Sequence, residues 1–226
     1  MRDACARRLD PKRHSDDPLP WPERLRLLRD VALAVEALHA GGVRTVLHRN
    51  IHPSNVLLMR DHRAKLAGFG VSAALDGTCT ATARGAVSLR YAAPETLAMP
   101  PSFRASSDVY SFGMLAYHVA AGHAPWVEVP QEHLVAQRTR EGGRPSLAAL
   151  EADSECPAAL QTLLTQCWSQ DCDDRPDAVA VVEALEEMVA AASDSARGIL
   201  YALYPKIIQH PGRSGYRPLS ALTVSR

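Results

Sequence analysis

The segment His48-Arg49-Asn50-Ile51-His52-Pro53-Ser54-Asn55 brings two imidazoles, a guanidinium, two carboxamides and a hydroxyl into one short stretch. These groups can orient a hydroxyl or a water by hydrogen bonding, but none is a carboxylate. Asn50 cannot take a proton near pH 7. His52 supplies a hydrogen bond and, when neutral, no charge. Asn55 offers one neutral amide oxygen, whereas Mg²⁺ favours hard oxygen donors, usually carboxylates. Between Arg44 and Leu75 the only acid is Asp61, which sits in a predicted turn and is badly placed to compensate. His48 and His52 lie four residues apart, but Pro53 and a loop context remove the helical geometry that a metal pair at this spacing needs. We expect no metal site here.

Composition narrows the chemistry further. Lysine plus arginine is 25 and aspartate plus glutamate is 25, so the net charge is zero and a long-range grip on nucleic acid or an anionic membrane is not expected. The lysines are only Lys12, Lys65 and Lys206. No G-x-G-x-x-G occurs, since Gly68-Phe69-Gly70 lacks the third glycine. The five cysteines are scattered and include no Cys-x-x-Cys pair, which reads as reduced thiols in an intracellular, cytoplasmic protein. The longest mainly apolar stretch, 112–122, is too short to span a bilayer, and 1–20 has no apolar signal core.

The elements around the polar segment follow from periodicity. Leu25, Leu28, Ala32, Val35 and Leu38 recur at helical spacing from Pro22 to the stop at Gly41-Gly42. Thr45 to Leu47, Val56 to Met59 and Ala64 to Ala67 read as short strands, with a hairpin turn at 60–62. Residues 68–105 read mostly as loop. A helix capped by Ser106 or Ser107 runs to Gly122, apolar nearly all round and therefore buried. A short helix near Glu132 to Arg138, one over Pro157 to Trp168 and a last one opening at Pro176 complete the series. The fold class is mostly α with a small β ribbon. Residues 1–20 read as a leader or remnant helix, 21–192 as the domain, and 193–226 as a flexible tail.

The polar segment resembles the catalytic loop of protein kinases, His-Arg-Asp-Leu-x-x-x-Asn, without a gap. Lys65-Leu66-Ala67-Gly68-Phe69-Gly70 is similar to the run ending in Asp-Phe-Gly, and Ala93-Pro94-Glu95 matches Ala-Pro-Glu. Ser107-Asp108-Val109-Tyr110-Ser111-Phe112-Gly113 resembles the start of the long central helix of the large lobe. Cys167-Trp168 with Asp171, Arg175 and Pro176 resembles the domain end in the tyrosine-kinase and tyrosine-kinase-like groups.

The resemblance implies a kinase-like C-terminal lobe whose family activity is Mg-ATP-dependent phosphotransfer to protein. It also marks the departures. The catalytic Asp is Asn50, the phosphate-neutralising lysine is His52, and the metal-holding Asp is Gly68, so no catalytic position is intact. Asn55 stays as a remnant Mg-ATP position. None of the three lysines can serve as the strand lysine that pairs the α- and β-phosphates, so the small N-terminal lobe is expected to be absent. Scaffold roles are implied for His48, for Arg49, for a Glu95–Arg175 ion pair and for Asp108 beneath the catalytic loop. Thr78, Thr80, Thr82 and Ser88 are candidate phosphosites opposite Arg49. The expected function is that of a pseudokinase fragment, not an enzyme and without a cofactor of its own. It would act as a protein-binding or regulatory module for another kinase or an upstream domain. The alternative is an atypical Ser/Thr protein kinase whose small lobe lies upstream.

Overall fold

A computed structural model describes residues 7–8, 19–41, 44–59, 61, 63–74 and 88–203. Met1–Val189 form one compact unit and Ala190–Arg226 a second. Every contact below lies within the first.

Helix α1 (Trp21–His39) has Pro22 in its first turn, where a missing N–H is harmless. Its Leu25, Leu28, Val31, Ala32 and Val35 are all but inaccessible to solvent. That stripe packs against α2 (Ala105–Ala121) and against the β ribbon. The ribbon has three antiparallel strands in the order β1 (Arg7–Arg8), β3 (Val56–Leu58), β4 (Ala64–Leu66). Val56 faces Leu66 and Leu58 faces Ala64. A second pair joins β2 (Val46–Leu47) to β5 (Ala73–Ala74). Helices α3 (Glu132–Arg140), α4 (Ala148–Glu151), α5 (Ala158–Cys167) and α6 (Ala178–Leu203) follow.

Helix α2 is the central pillar. Twelve of its residues are buried, Asp108 and His118 among them. It meets α5 where Gly113 faces Cys167; a Cβ at Gly113 would stand 2.7 Å from the Cβ of Cys167. Two helices approach this closely only where one presents no side chain. Gly122 ends α2 in the left-handed region, φ 73°, with its N–H bonded to His118 O.

Several sequence expectations are corrected in detail. Ser107 does not cap α2 from outside; it lies at the third helical position. Its Oγ accepts from the Arg104 N–H and donates to Glu95. Residues 68–105 include β5 and three short 3-10 turns, Phe69–Val71, Leu89–Tyr91 and Pro94–Leu97. Of the segment 1–20, Arg7–Arg8 form a strand rather than a helix, and 1–6 and 9–18 lie outside the described residues. Helix α6 continues past Ser193 to Leu203, since no proline interrupts it before Pro205; residues 204–226 lie outside the described ones.

Candidate functional site

The catalytic-loop residues hang from one buried carboxylate. Asp108 Oδ2 accepts from the His48 N–H at 2.8 Å and Oδ1 from the Arg49 N–H at 2.8 Å. Oδ2 also faces His39 Nε2 at 3.0 Å. These bonds hold a backbone that would otherwise resist its shape, because Arg49 sits at φ 65°. A non-glycine residue pays for that conformation, so it persists where the surroundings over-determine it.

His48 is fully buried. Its Nε2 bonds the Ala67 carbonyl at 2.9 Å, and its Nδ1 accepts from the Asn50 N–H at 3.3 Å. Both ring nitrogens are thereby used in the neutral form. Desolvation lowers its pKa, against opposing contributions from the Ala67 carbonyl and Asp108. The ring also meets Phe69 edge-on at 5.1 Å, while Phe69 itself stays half exposed.

The positions expected to be degenerate converge. Asn55 Nδ2 donates to the Asn50 carbonyl at 2.8 Å and lies 3.0 Å from His52 Nε2. A carbonyl only accepts, which fixes the carboxamide with its NH₂ towards Asn50. His52 Nε2 is then an acceptor and the imidazole neutral, with its proton on Nδ1. The Asn55 backbone closes the same knot: its N–H donates to His52 O at 2.9 Å and its O accepts from the Ala67 N–H at 2.8 Å. Gly68 follows at φ 89°, directly against the Asn55 carboxamide.

Asn50, His52, Asn55 and Gly68 therefore make a neutral cluster. A Mg²⁺ ion does not fit this donor set. Gly68 has no side-chain ligand, Asn55 offers a single neutral amide oxygen and among the described residues no carboxylate stands beside it, and Asp61 is exposed in the ribbon turn.

The scaffold ion pair is bidentate. Arg175 Nη1 meets Glu95 Oε1 at 2.8 Å and Nη2 meets Oε2 at 2.9 Å. The guanidinium also donates to Ser169 O and Ser106 O, so the turn Pro94–Leu97, α2 and the segment before α6 are tied at one point. Burial acts to raise the Glu95 pKa, but the bonds from Arg175 and Ser107 outweigh it and hold the carboxyl below its usual range. Arg175 and Arg144 lie over the Tyr110 ring at 5.0 and 5.2 Å.

Ser88 opens the turn Leu89–Tyr91, its carbonyl accepting from the Tyr91 N–H. Thr78, Thr80 and Thr82 lie outside the described residues. Arg49 stacks its guanidinium on Phe103 at 4.9 Å.

Three groups escaped the sequence reading. Arg90 donates to the carbonyls of Pro125, Trp126, Val129 and Pro130. Tyr91 Oη and His118 Nδ1 share a buried 2.7 Å bond. Asp30 joins α1 to the ribbon through Arg63 Nε at 2.8 Å and the Ala64 N–H at 3.1 Å. Asp30 and His118 did leave a signal, each being a lone polar residue in an apolar helical face; Arg90 left none.

This architecture and this loop geometry define a class. Residues 7–185 match the family of protein tyrosine and serine/threonine kinases, and the chain belongs to that family. Among its relatives are the receptor-interacting serine/threonine-protein kinase 3 of Homo sapiens, 41% identical over 72% of this chain, and that of Rattus norvegicus, 39% identical over 70%. Ephrin type-A receptor 5 of Rattus norvegicus is 29% identical over 72% of the chain. The matched region is 32% of the human and 34% of the rat receptor-interacting kinase, so the chain spans about a third of these relatives.

Proposed function

We propose that this chain is the large lobe of a pseudokinase, working in the cytoplasm as a protein-binding or regulatory module rather than as a phosphotransferase. One observation carries the reading. The positions that in the family handle the proton, the phosphate charge and the metal are here Asn50, His52 and Gly68, drawn with Asn55 into one neutral cluster. Loss of a general base alone costs roughly 10²–10⁴ in rate, and a missing metal ligand disables the same machine. The scaffold residues Asp108, Glu95 and Arg175 keep their bonds, which supports a domain selected for its shape. Its partner would be a protein, either another kinase or an upstream domain, with no cofactor bound by this chain alone.

The competing reading is ATP-dependent Ser/Thr phosphotransfer completed by a small lobe upstream, and it rests on what the relatives' names say of those proteins. Radiolabelled Mg-ATP with the purified chain and a general protein substrate separates the two. Incorporation should not exceed the protein-free blank. Transfer that disappears in Asn55→Ala or His52→Ala would overturn the pseudokinase reading.

A further inference from the structure

The corner where the family's metal joins the catalytic loop to the following strand is filled here by protein. An ideal Cβ built on Gly68 would lie 2.4 Å from Asn55 Cγ and 2.5 Å from both Asn55 Nδ2 and Oδ1. No real Cβ approaches a neighbour so closely. The Asn55 side chain is not idle in that space, since its Nδ2 serves Asn50 O at 2.8 Å and His52 Nε2 at 3.0 Å. Moving it aside breaks its bonds to Asn50 O and His52 Nε2, on the loop just ahead of the turn Pro53–Asn55.

We infer that Gly68 and Asn55 form an interlocked pair: the missing side chain at Gly68 lets the Asn55 carboxamide seat against the backbone and brace the catalytic loop to the ribbon without a metal. The family's ion would join these two segments by coordination; here packing and hydrogen bonds join them directly. Asn55 is thus a positioning residue for the loop. Supplying a carboxylate at Gly68 displaces the brace rather than rebuilding a cation site. This rests on the pseudokinase reading only in taking Gly68 and Asn55 as the former metal corner.

A double-mutant cycle on the full chain tests it. Gly68→Ala alone combines two effects, the collision with Asn55 and the strain of a Cβ at φ 89°. Asn55→Ala removes the collision and leaves the strain. Each single variant should melt lower than the parent, Gly68→Ala by about 4 °C or more. The double variant should melt no lower than Gly68→Ala alone, because the carboxamide is already unseated there. Losses that simply add would overturn the interlock. Gly68→Asp gives a second arm: Mn²⁺ titrated into it and followed by electron paramagnetic resonance should show no more bound metal than in the parent. Bound Mn²⁺ in that variant, with Asn55 required for it, would show a latent metal site and overturn the proposal. Neither readout depends on phosphotransfer, so the interlock can fail while the pseudokinase reading stands.

Discussion

At the scale of single residues, the buried histidine of α2 makes the domain sensitive to acid. His118 is 4% exposed, and desolvation, with a smaller push from His123, brings its pKa down to about 4 from 6.5. Between those two values the unfolded chain binds a proton that the folded chain refuses. Stability therefore falls as the pH drops through this window, by roughly 3 kcal/mol when the full shift is traversed. His48, also lowered by burial, adds in the same direction. The carboxyls of Asp30 and Glu95, which burial would raise but which their arginine bonds hold below the ordinary 3.8 and 4.5, lose their contributions as the pH falls from about those values downward. Urea midpoints between pH 7 and pH 4.5 should fall steadily. In His118→Phe the slope should be shallower, with the His48 share remaining. An unchanged slope would mean that His118 is not neutral in the fold.

The same scale shows what a sequence can convey. The catalytic-loop motif and its companions were legible because each departure, Asn50, His52 and Gly68, stands inside an otherwise matched pattern. The Asn55–Gly68 contact was not, because it depends on a carboxamide rotamer and a left-handed φ. Neither leaves a trace in residue spacing.

At the scale of elements, long-range polar ties hold the pieces in place. One is the bidentate pair of Arg175 with Glu95, which links parts of the chain 80 residues apart. The Arg175 side chain is fully buried and Glu95 is 18% exposed. Arg175→Ala leaves an uncompensated carboxylate there and also drops the bonds to Ser106 and Ser169. A loss of about 3–5 kcal/mol is expected, read as a lower chemical-denaturation midpoint. Glu95→Gln keeps an acceptor for Ser107 and should cost less. If Arg175→Ala unfolds at the parent midpoint, the pair is ornamental. Most helices were readable to within a few residues, because apolar periodicity is local; the single-turn α4 was not, and α6 runs on to Leu203 where a tail was expected after Ser193. The two-residue strands were harder: β1 is a pair of arginines, which only the partner strand β3 makes a strand.

For the whole molecule, the question is whether nucleotide is recognised at all. The sequence holds no glycine-rich phosphate loop, and Lys65 lies exposed on β4. A ligand that binds only the folded state raises the melting temperature by mass action. With millimolar Mg-ATP this chain should show no shift, and EDTA should not lower the melt either. A rise of several degrees would mean that a nucleotide site survives and would reopen the competing reading. Among the described residues no helix is long and apolar enough to cross a membrane. Global architecture was legible because five motifs in the right order specify a family topology. The ties that hold it, Asp30 to Arg63 and Arg90 to the loop after α2, were not. They join residues distant in sequence, and nothing in either partner's local context announces the other.

Asp108 adds a consequence in time. The backbone it grips lies 60 residues earlier in the chain. A ribosome adding about 5–20 residues per second makes His48 and Arg49 roughly 3–12 s before their acceptor exists. Through that interval Arg49 has nothing from α2 to hold its positive φ. This strained turn therefore cannot set until the start of α2 has been made, and the nascent chain must carry it unformed until then.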